Sequence, residues 1–458
     1  MSLATDPLLA PLAADRPAVA RVARIPAGFA AAGATAGIKA SGTPDLALVV
    51  ASDEPVPAAA VTTPNRFAAA PVRLSRANLQ ATGGSASAAG FARAVIATSG
   101  SANAATGPAG DADQAAIGEG VAAAVGCSPA EVLHLSTGVI GTRLPVDRVR
   151  DIVARVAGGG LAATDDALSA AAVALRTTDS TTKVASVTVK APGVAGGEVE
   201  ITITGIAKGV GMIHPRMATM LSVLLTDATA DPQTLRALLA GASAVTWNQL
   251  SVDGDTSTND SVFLLASGRA GGASATTDAG ARAALGAAIE AVARDLARQQ
   301  AADGEGATAL ITCQVSGAVD DADARAIARA VVASSLVKAA VHGRDPNWGR
   351  IASAAGNAVV AEAATLEAAG LSPEAARARA GSPAAVDPAA MRIAIASHLV
   401  YDGARGGPVA IDKATVRGAM GEAEVLIRVD AGLGTGSGEA FGCDLTEAYV
   451  RENSEYTS

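Results

Sequence analysis

The sequence predicts an α+β fold built as stacked layers, and three observations carry that prediction. Apolar residues alternate with polar ones at Val187 and Val189 and again at Val199, Ile201 and Ile203, the period of strands with one face buried. Leu285, Ile289, Val292 and Leu296 recur at the spacing of a helix with one apolar face. Segments of the two kinds interleave without the regular strand-helix alternation of a parallel barrel, which favours a layered sandwich.

Taken in order, Met1 to Arg24 carries Asp6, Asp15 and Arg16 amid Ala and Pro. It lacks the basic start and clean apolar core of a secretory signal, and reads as a poorly defined leader over residues 1–24. The two alternating segments, joined by Pro192-Gly193 and Gly196-Gly197, form a hairpin that delivers the chain into the run from Gly205 to Leu221. The later helix ends shortly before Asp303-Gly304-Glu305, setting Glu305 on a loop, with Arg282, Arg294 and Arg298 expected toward solvent. Ser267 to Ala279 and Ala361 to Ala390 are rich in Ala, Gly and Ser and read as surface loops with an Ala-rich helix.

Composition narrows the function classes. A length of 458 residues allows two to three average domains, and 50% hydrophobic with 17% charged residues is an ordinary globular balance. With aromatics at 2%, the core must come chiefly from Ala, Val, Leu and Ile. The net charge of −9 comes without a basic block, which argues against a nucleic-acid surface. Cys127, Cys313 and Cys443 are odd in number and widely spaced, as in a reducing compartment, and read as buried small hydrophobes. His134, His214, His342 and His398 show no metal-ligand spacing, so no metal is expected. No run of about 20 apolar residues is present, so no membrane helix is expected. A cytoplasmic protein with small-molecule chemistry is the expectation.

The chemistry concentrates in Gly205-Ile-Ala-Lys-Gly-Val-Gly-Met-Ile-His-Pro-Arg-Met-Ala-Thr-Met-Leu221. Gly205, Gly209 and Gly211 free the backbone, Pro215 fixes it again, and an Ala218-Thr219 bond follows. Attack of the Thr219 hydroxyl on the Ala218 carbonyl would turn the amide into an ester, and water would open it to leave Thr219 with a free α-amine. That amine, with a reference pKa of about 7.7–8.0, suits the role of base for its own hydroxyl. The same window also reads as a glycine-rich turn ahead of a helix or strand. It matches neither a phosphate loop nor a dinucleotide fingerprint.

Further motifs stand around it: Ala36-Gly-Ile-Lys39, Asn103-Ala-Ala-Thr-Gly107, Leu135-Ser-Thr-Gly-Val-Ile-Gly-Thr-Arg-Leu-Pro145, Ser251-Val-Asp-Gly-Asp-Thr-Ser-Thr-Asn-Asp260, Asp303-Gly-Glu-Gly-Ala-Thr308, Asp345-Pro-Asn-Trp-Gly-Arg350, and the tail from Gly442 to Ser458. Together they resemble the ornithine acetyltransferase family of arginine biosynthesis, from about Ile25 to the end. The resemblance implies a layered α/β/β/α sandwich and self-cleavage at Ala218-Thr219 into a chain of residues 25–218 and a chain of residues 219–458. It implies an acetyl group moved from N-acetylornithine to glutamate through an acetyl-threonine, with acetyl-CoA as a donor in some members. No metal or organic cofactor is implied. The expected partners are those small molecules and the two fragments themselves, as a heterotetramer or larger. The alternatives are an acyltransferase of a secondary-metabolite pathway and an aminopeptidase of the same superfold.

Carried over residue by residue, the resemblance makes Thr219 the nucleophile and Thr137 with Gly138 the oxyanion donors. Thr177, Lys208, Thr219, Glu305, Asn453 and Ser458 become substrate contacts. A cation at Lys208 and an anion at Glu305 complement the carboxylate and ammonium of an amino acid. His214, within the loop, is expected to pack or rim the substrate. Departures stand at Thr98 and Ser101, where the family shows asparagines, at Ala309, where it commonly shows lysine, and at Ser458, where threonine is frequent.

Overall fold

The computed structural model describes residue 8 and residues 16–84, 88–214 and 220–455. Three sheets organise them. The first has four strands in the order Phe29–Ala34, Leu46–Ala51, Ala94–Ser101, Val132–Val139. The second has six, in the order Ala89–Ala92, Val56–Thr62, Ser261–Ala266, Leu221–Thr226, Glu198–Lys208, Lys183–Pro192. The third has seven and comes from the C-terminal half, with Glu424–Asp430 at its centre beside Leu310–Ala318.

The layering follows from the two-residue period of the strands. In Leu46–Ala51, Ala47, Val49 and Ala51 face one cluster while Leu46, Leu48 and Val50 face another. In Ser261–Ala266, Phe263 and Leu265 join the same first cluster, and Val262, Leu264 and Ala266 turn away from it. The first two sheets therefore stack face to face. Their outer faces are covered by helices, Gly107–Val125 and Val146–Ala157 on one side and Pro232–Val245 and Ala279–Ala302 on the other. This is the expected α/β/β/α sandwich. The third sheet packs separately against Asp321–Ala333 and its neighbours. Small aliphatic side chains fill these cores, with Phe29, Phe263, Phe441 and Trp247 fully buried among them.

The expected hairpin forms, with Val187 opposite Ile203 and Val189 opposite Ile201. The Ala279–Ala302 helix buries Leu285, Ile289, Val292 and Leu296 completely. Each such side chain contributes about 1.5–3 kcal/mol relative to exposure. Two expectations on that helix need correction. Arg282 is exposed, but Arg294 and Arg298 are not solvent-facing. Their guanidinium carbons stand 5.4 and 5.6 Å from the centre of the Phe441 ring, and they pair with Glu439 and Glu424. The third sheet lies against this face of the helix, which helical spacing alone does not reveal. Cys313 and Cys443 are buried, whereas Cys127 is half-buried.

Residues 16–24 are fastened to the body. The Ala20 amide donates to the Ser186 carbonyl at 2.9 Å, Arg16 pairs with Glu439 at 3.1 Å, and Arg21 pairs with Asp295 at 2.9 Å. Within Ala361 to Ala390 two short helices form, Ala363–Ala368 and Pro373–Arg379.

Candidate active site

A cavity of about 300 Å³ opens where the first two sheets meet the tail helix Glu447–Glu455. Thr137, Gly138, Thr177, Lys208, Glu305 and Asn453 all line it. These are every expected site residue among the described ones. Ala218, Thr219 and Ser458 lie outside the described residues.

Strand ends deliver the first groups. Thr137 and Gly138 close the strand Val132–Val139, pairing in parallel with Ser99 and Gly100 where Ser101 shifts the register. Gly138 has φ of +128°, and a Cβ there would come within 2.3 Å of the Gly100 backbone carbon. Only glycine fits, and its amide is left close to the cavity. Lys208 ends the strand Glu198–Lys208 and faces Leu221 across the sheet. Its Nζ donates to Thr137 Oγ1 at 3.0 Å. Burial lowers the lysine's pKa, opposed chiefly by the Asp179 carboxylate.

Asp179 anchors this corner. It accepts from Lys183 Nζ at 2.7 Å and from the Gly209 amide at 2.8 Å, and Lys183 reaches Asp303 as well. Burial pushes the Asp179 carboxyl up, but Lys208, Lys183 and the Gly209 amide outweigh it and hold the group well below the usual carboxylate range. The Thr177 amide donates to the other Asp179 oxygen at 3.0 Å.

Glu305 is held from three sides. Its amide donates to the Val210 carbonyl at 2.9 Å. Its carboxylate accepts from Thr178 Oγ1 at 2.9 Å and from Asn453 Nδ2 at 3.0 Å. Gly211 makes room, since a Cβ there would lie 2.3 Å from Glu305 Oε2. Beyond it Met212 takes φ of +53°, uncommon for a residue with a side chain. Asp253 clamps that turn through the amides of Met212 and Ile213, the latter at 2.9 Å. Burial is the main reason the Asp253 carboxyl is raised.

Among the residues of the cavity not singled out in the sequence are Thr178 and Asn259. Thr178 adjoins Thr177, and Asn259 sits in the quoted run from Ser251 to Asp260. Asn259 is 6% exposed, and its Oδ1 is buried with no hydrogen-bond partner. His214 does not line this cavity; its Nδ1 stands 3.0 Å from Ser251 Oγ and it faces a second cavity. The departures are absorbed locally. The Thr98 hydroxyl pairs with that of Ser136 at 2.8 Å, Ser101 donates to the Thr142 carbonyl at 2.8 Å, and the Ala309 amide donates to Asp444 at 2.9 Å.

Among the described residues no helix is long and apolar enough to cross a membrane. The arrangement offers a hydroxyl and an amide beside one cation and one anion, a geometry for binding an amino acid and stabilising an oxyanion.

The ArgJ family model matches residues 30–458. The arginine biosynthesis bifunctional protein ArgJ of Thermosynechococcus vestitus is 43% identical over 433 residues, spanning 94% of this chain and 96% of that protein. The protein of the same name from Thermus thermophilus is 42% identical over 435 residues, spanning 95% and 99%. Among solved structures, ornithine acetyltransferase complexed with ornithine from Mycobacterium tuberculosis is 40% identical, covering 43% of this chain and 97% of that one at a TM-score of 0.37.

Proposed function

The chain belongs to the ArgJ family, and on that premise we propose that it moves the acetyl group of N-acetylornithine to glutamate through an ester on Thr219, after cutting its own backbone between Ala218 and Thr219. The observation that carries this reading is the single cavity shared by Thr137, Gly138, Thr177, Lys208, Glu305 and Asn453. Leu221, two residues beyond Thr219 in the chain, pairs with Lys208 of that cavity.

In processing, the Thr219 hydroxyl adds to the Ala218 carbonyl, the C–N bond breaks, and water hydrolyses the ester to a carboxylate on Ala218 and an amine on Thr219. In transfer, that amine takes the hydroxyl proton as the oxygen adds to the acetyl carbonyl. The oxyanion accepts hydrogen bonds from the Thr137 hydroxyl and the Gly138 amide. Because Lys208 donates into Thr137 Oγ1, the threonine's own hydrogen is free to turn toward the oxyanion. Collapse breaks the acetyl C–N bond, the departing ornithine amine takes the proton back, and acetyl remains on Thr219. The glutamate amine then repeats the steps in reverse. Lys208 and Glu305 meet the substrate's charges, Thr177, Asn453 and Ser458 supply hydrogen bonds, and Asn259 Oδ1 accepts an N–H that both amino acids carry.

The cut leaves fragments of residues 1–218 and 219–458 that stay together. Support comes from the second sheet, whose strand Leu221–Thr226 pairs with Glu198–Lys208 and whose strand Ser261–Ala266 pairs with Val56–Thr62. We read the assembly as a heterotetramer or larger, and the three free cysteines as marks of the reducing cytoplasm. The test is acetyl transfer from N-acetylornithine to glutamate by the purified protein, with acetyl-CoA as an alternative donor in a parallel reaction. Absence of transfer from N-acetylornithine by a correctly cleaved preparation overturns the reading.

A further inference from the structure

A second cavity, of about 500 Å³, lies between the helix Asp321–Ala333 and the segment 359–366, with His214 on its wall. It shares no lining residue with the first. Arg325 and Arg329 enter it from adjacent turns of one helix face. Arg325 Nη2 is buried with no hydrogen-bond partner. The guanidinium's ion pair is with Asp321 at 3.9 Å, a side chain 61% exposed and therefore weakly compensating. From a different element, Gln249 is 3% exposed. Its amide nitrogen donates to the Ala244 carbonyl at 3.2 Å, while its Oε1 is buried without a partner. The rest of the wall is mixed, with Ala322, Ala326, Val360 and Leu366 on its apolar side and Asn248, Glu362 and Thr365 as further polar groups.

A buried donor and a buried acceptor left open on one cavity are uncommon in folded proteins. An occupant that satisfies both needs an anionic acceptor for the guanidinium, an N–H donor for the amide oxygen, and an apolar body. Inorganic anions lack the apolar body, and ionised fatty acids lack a hydrogen-bond donor. We propose that this cavity binds an α-amino acid with an apolar side chain, its carboxylate on Arg325 and its ammonium on Gln249 Oε1, its side chain against Val360 and Leu366.

The experiment uses the full, self-processed protein and titration calorimetry with L-leucine as the probe. Binding is expected, with the same affinity when the reaction cavity is filled with N-acetylornithine. Arg325→Gln is expected to weaken it at least tenfold, and Gln249→Met severalfold, with the kinetics of acetyl transfer unchanged. Should Arg325→Gln fail to fold, Arg325→Lys keeps the charge but not the paired donors and is expected to weaken binding as well. No heat with L-leucine, displacement by N-acetylornithine, affinity indifferent to these variants, or equal binding of inorganic phosphate alone would each overturn the assignment.

Discussion

Lys208 Nζ donates to Thr137 Oγ1 at 3.0 Å, joining the end of one sheet to the end of the other across the reaction cavity. The lysine thus acts on the hydroxyl proposed for the oxyanion as well as on substrate. Thr137→Ala is expected to lower kcat on the order of 10²–10³-fold with a smaller change in KM, because the donor acts on the transition state. Steady-state kinetics separate the two, and an unchanged kcat with a raised KM would make Thr137 a binding residue.

Gly211→Ala tests the placement of Glu305. The added Cβ would lie 2.3 Å from Glu305 Oε2, and the far end of that side chain can swing aside without disturbing the fold. The shift breaks its bonds to Thr178 and Asn453. Losing a charge-assisted contact of this kind raises KM about 10- to 100-fold. A variant with unaltered KM and a normal melting curve would remove Glu305 from substrate binding.

Asp179→Asn is a stability experiment. The carboxylate and its partner Lys183 are both fully buried as side chains, so neutralising the aspartate leaves Lys183 with Asp303 alone and Lys208 without its main counter-charge. Such losses cost about 3–5 kcal/mol. Urea unfolding of the variant is expected to show a much lower midpoint, and an unchanged midpoint would contradict the role given to this pair.

His134 gives a pH signature. Burial pushes its pKa down from 6.5 to about 3, and its Nδ1 sits 3.0 Å from Gln114 Nε2. The folded protein refuses a proton that the unfolded chain accepts. The associated stability is therefore complete above about 6.5 and is lost as pH falls through the window toward 3, by at most about 1.4 kcal/mol per pH unit. Unfolding midpoints between pH 6.5 and 5, ahead of the carboxylates, read this slope. His134→Gln should flatten it.

Much of this was legible in the sequence because periodicity and glycine placement are local. The hairpin leading into the run from Gly205 to Leu221 and the helix ending before Glu305 follow from two-residue and three- to four-residue periods. The six described site residues were reached through motif resemblance, and the sheets then brought them to one cavity. What stayed hidden depends on partners far apart in the chain. Asp179, Lys183 and Asp303 gather only after folding, and Arg294 and Arg298 leave solvent only because Phe441 and the third sheet arrive. Asn259 lay in a recognised run and Thr178 beside an expected contact, but nothing local marks which of several polar neighbours turns inward.

The measurement that bears most directly on the account is mass spectrometry of the purified protein incubated with N-acetylornithine and no glutamate. The account predicts two fragments, the second beginning Thr219-Met-Leu-Ser, with one acetyl mass on that second fragment alone, discharged when glutamate is added. An uncut chain in an active preparation, or acetyl found on the fragment of residues 1–218, would contradict it.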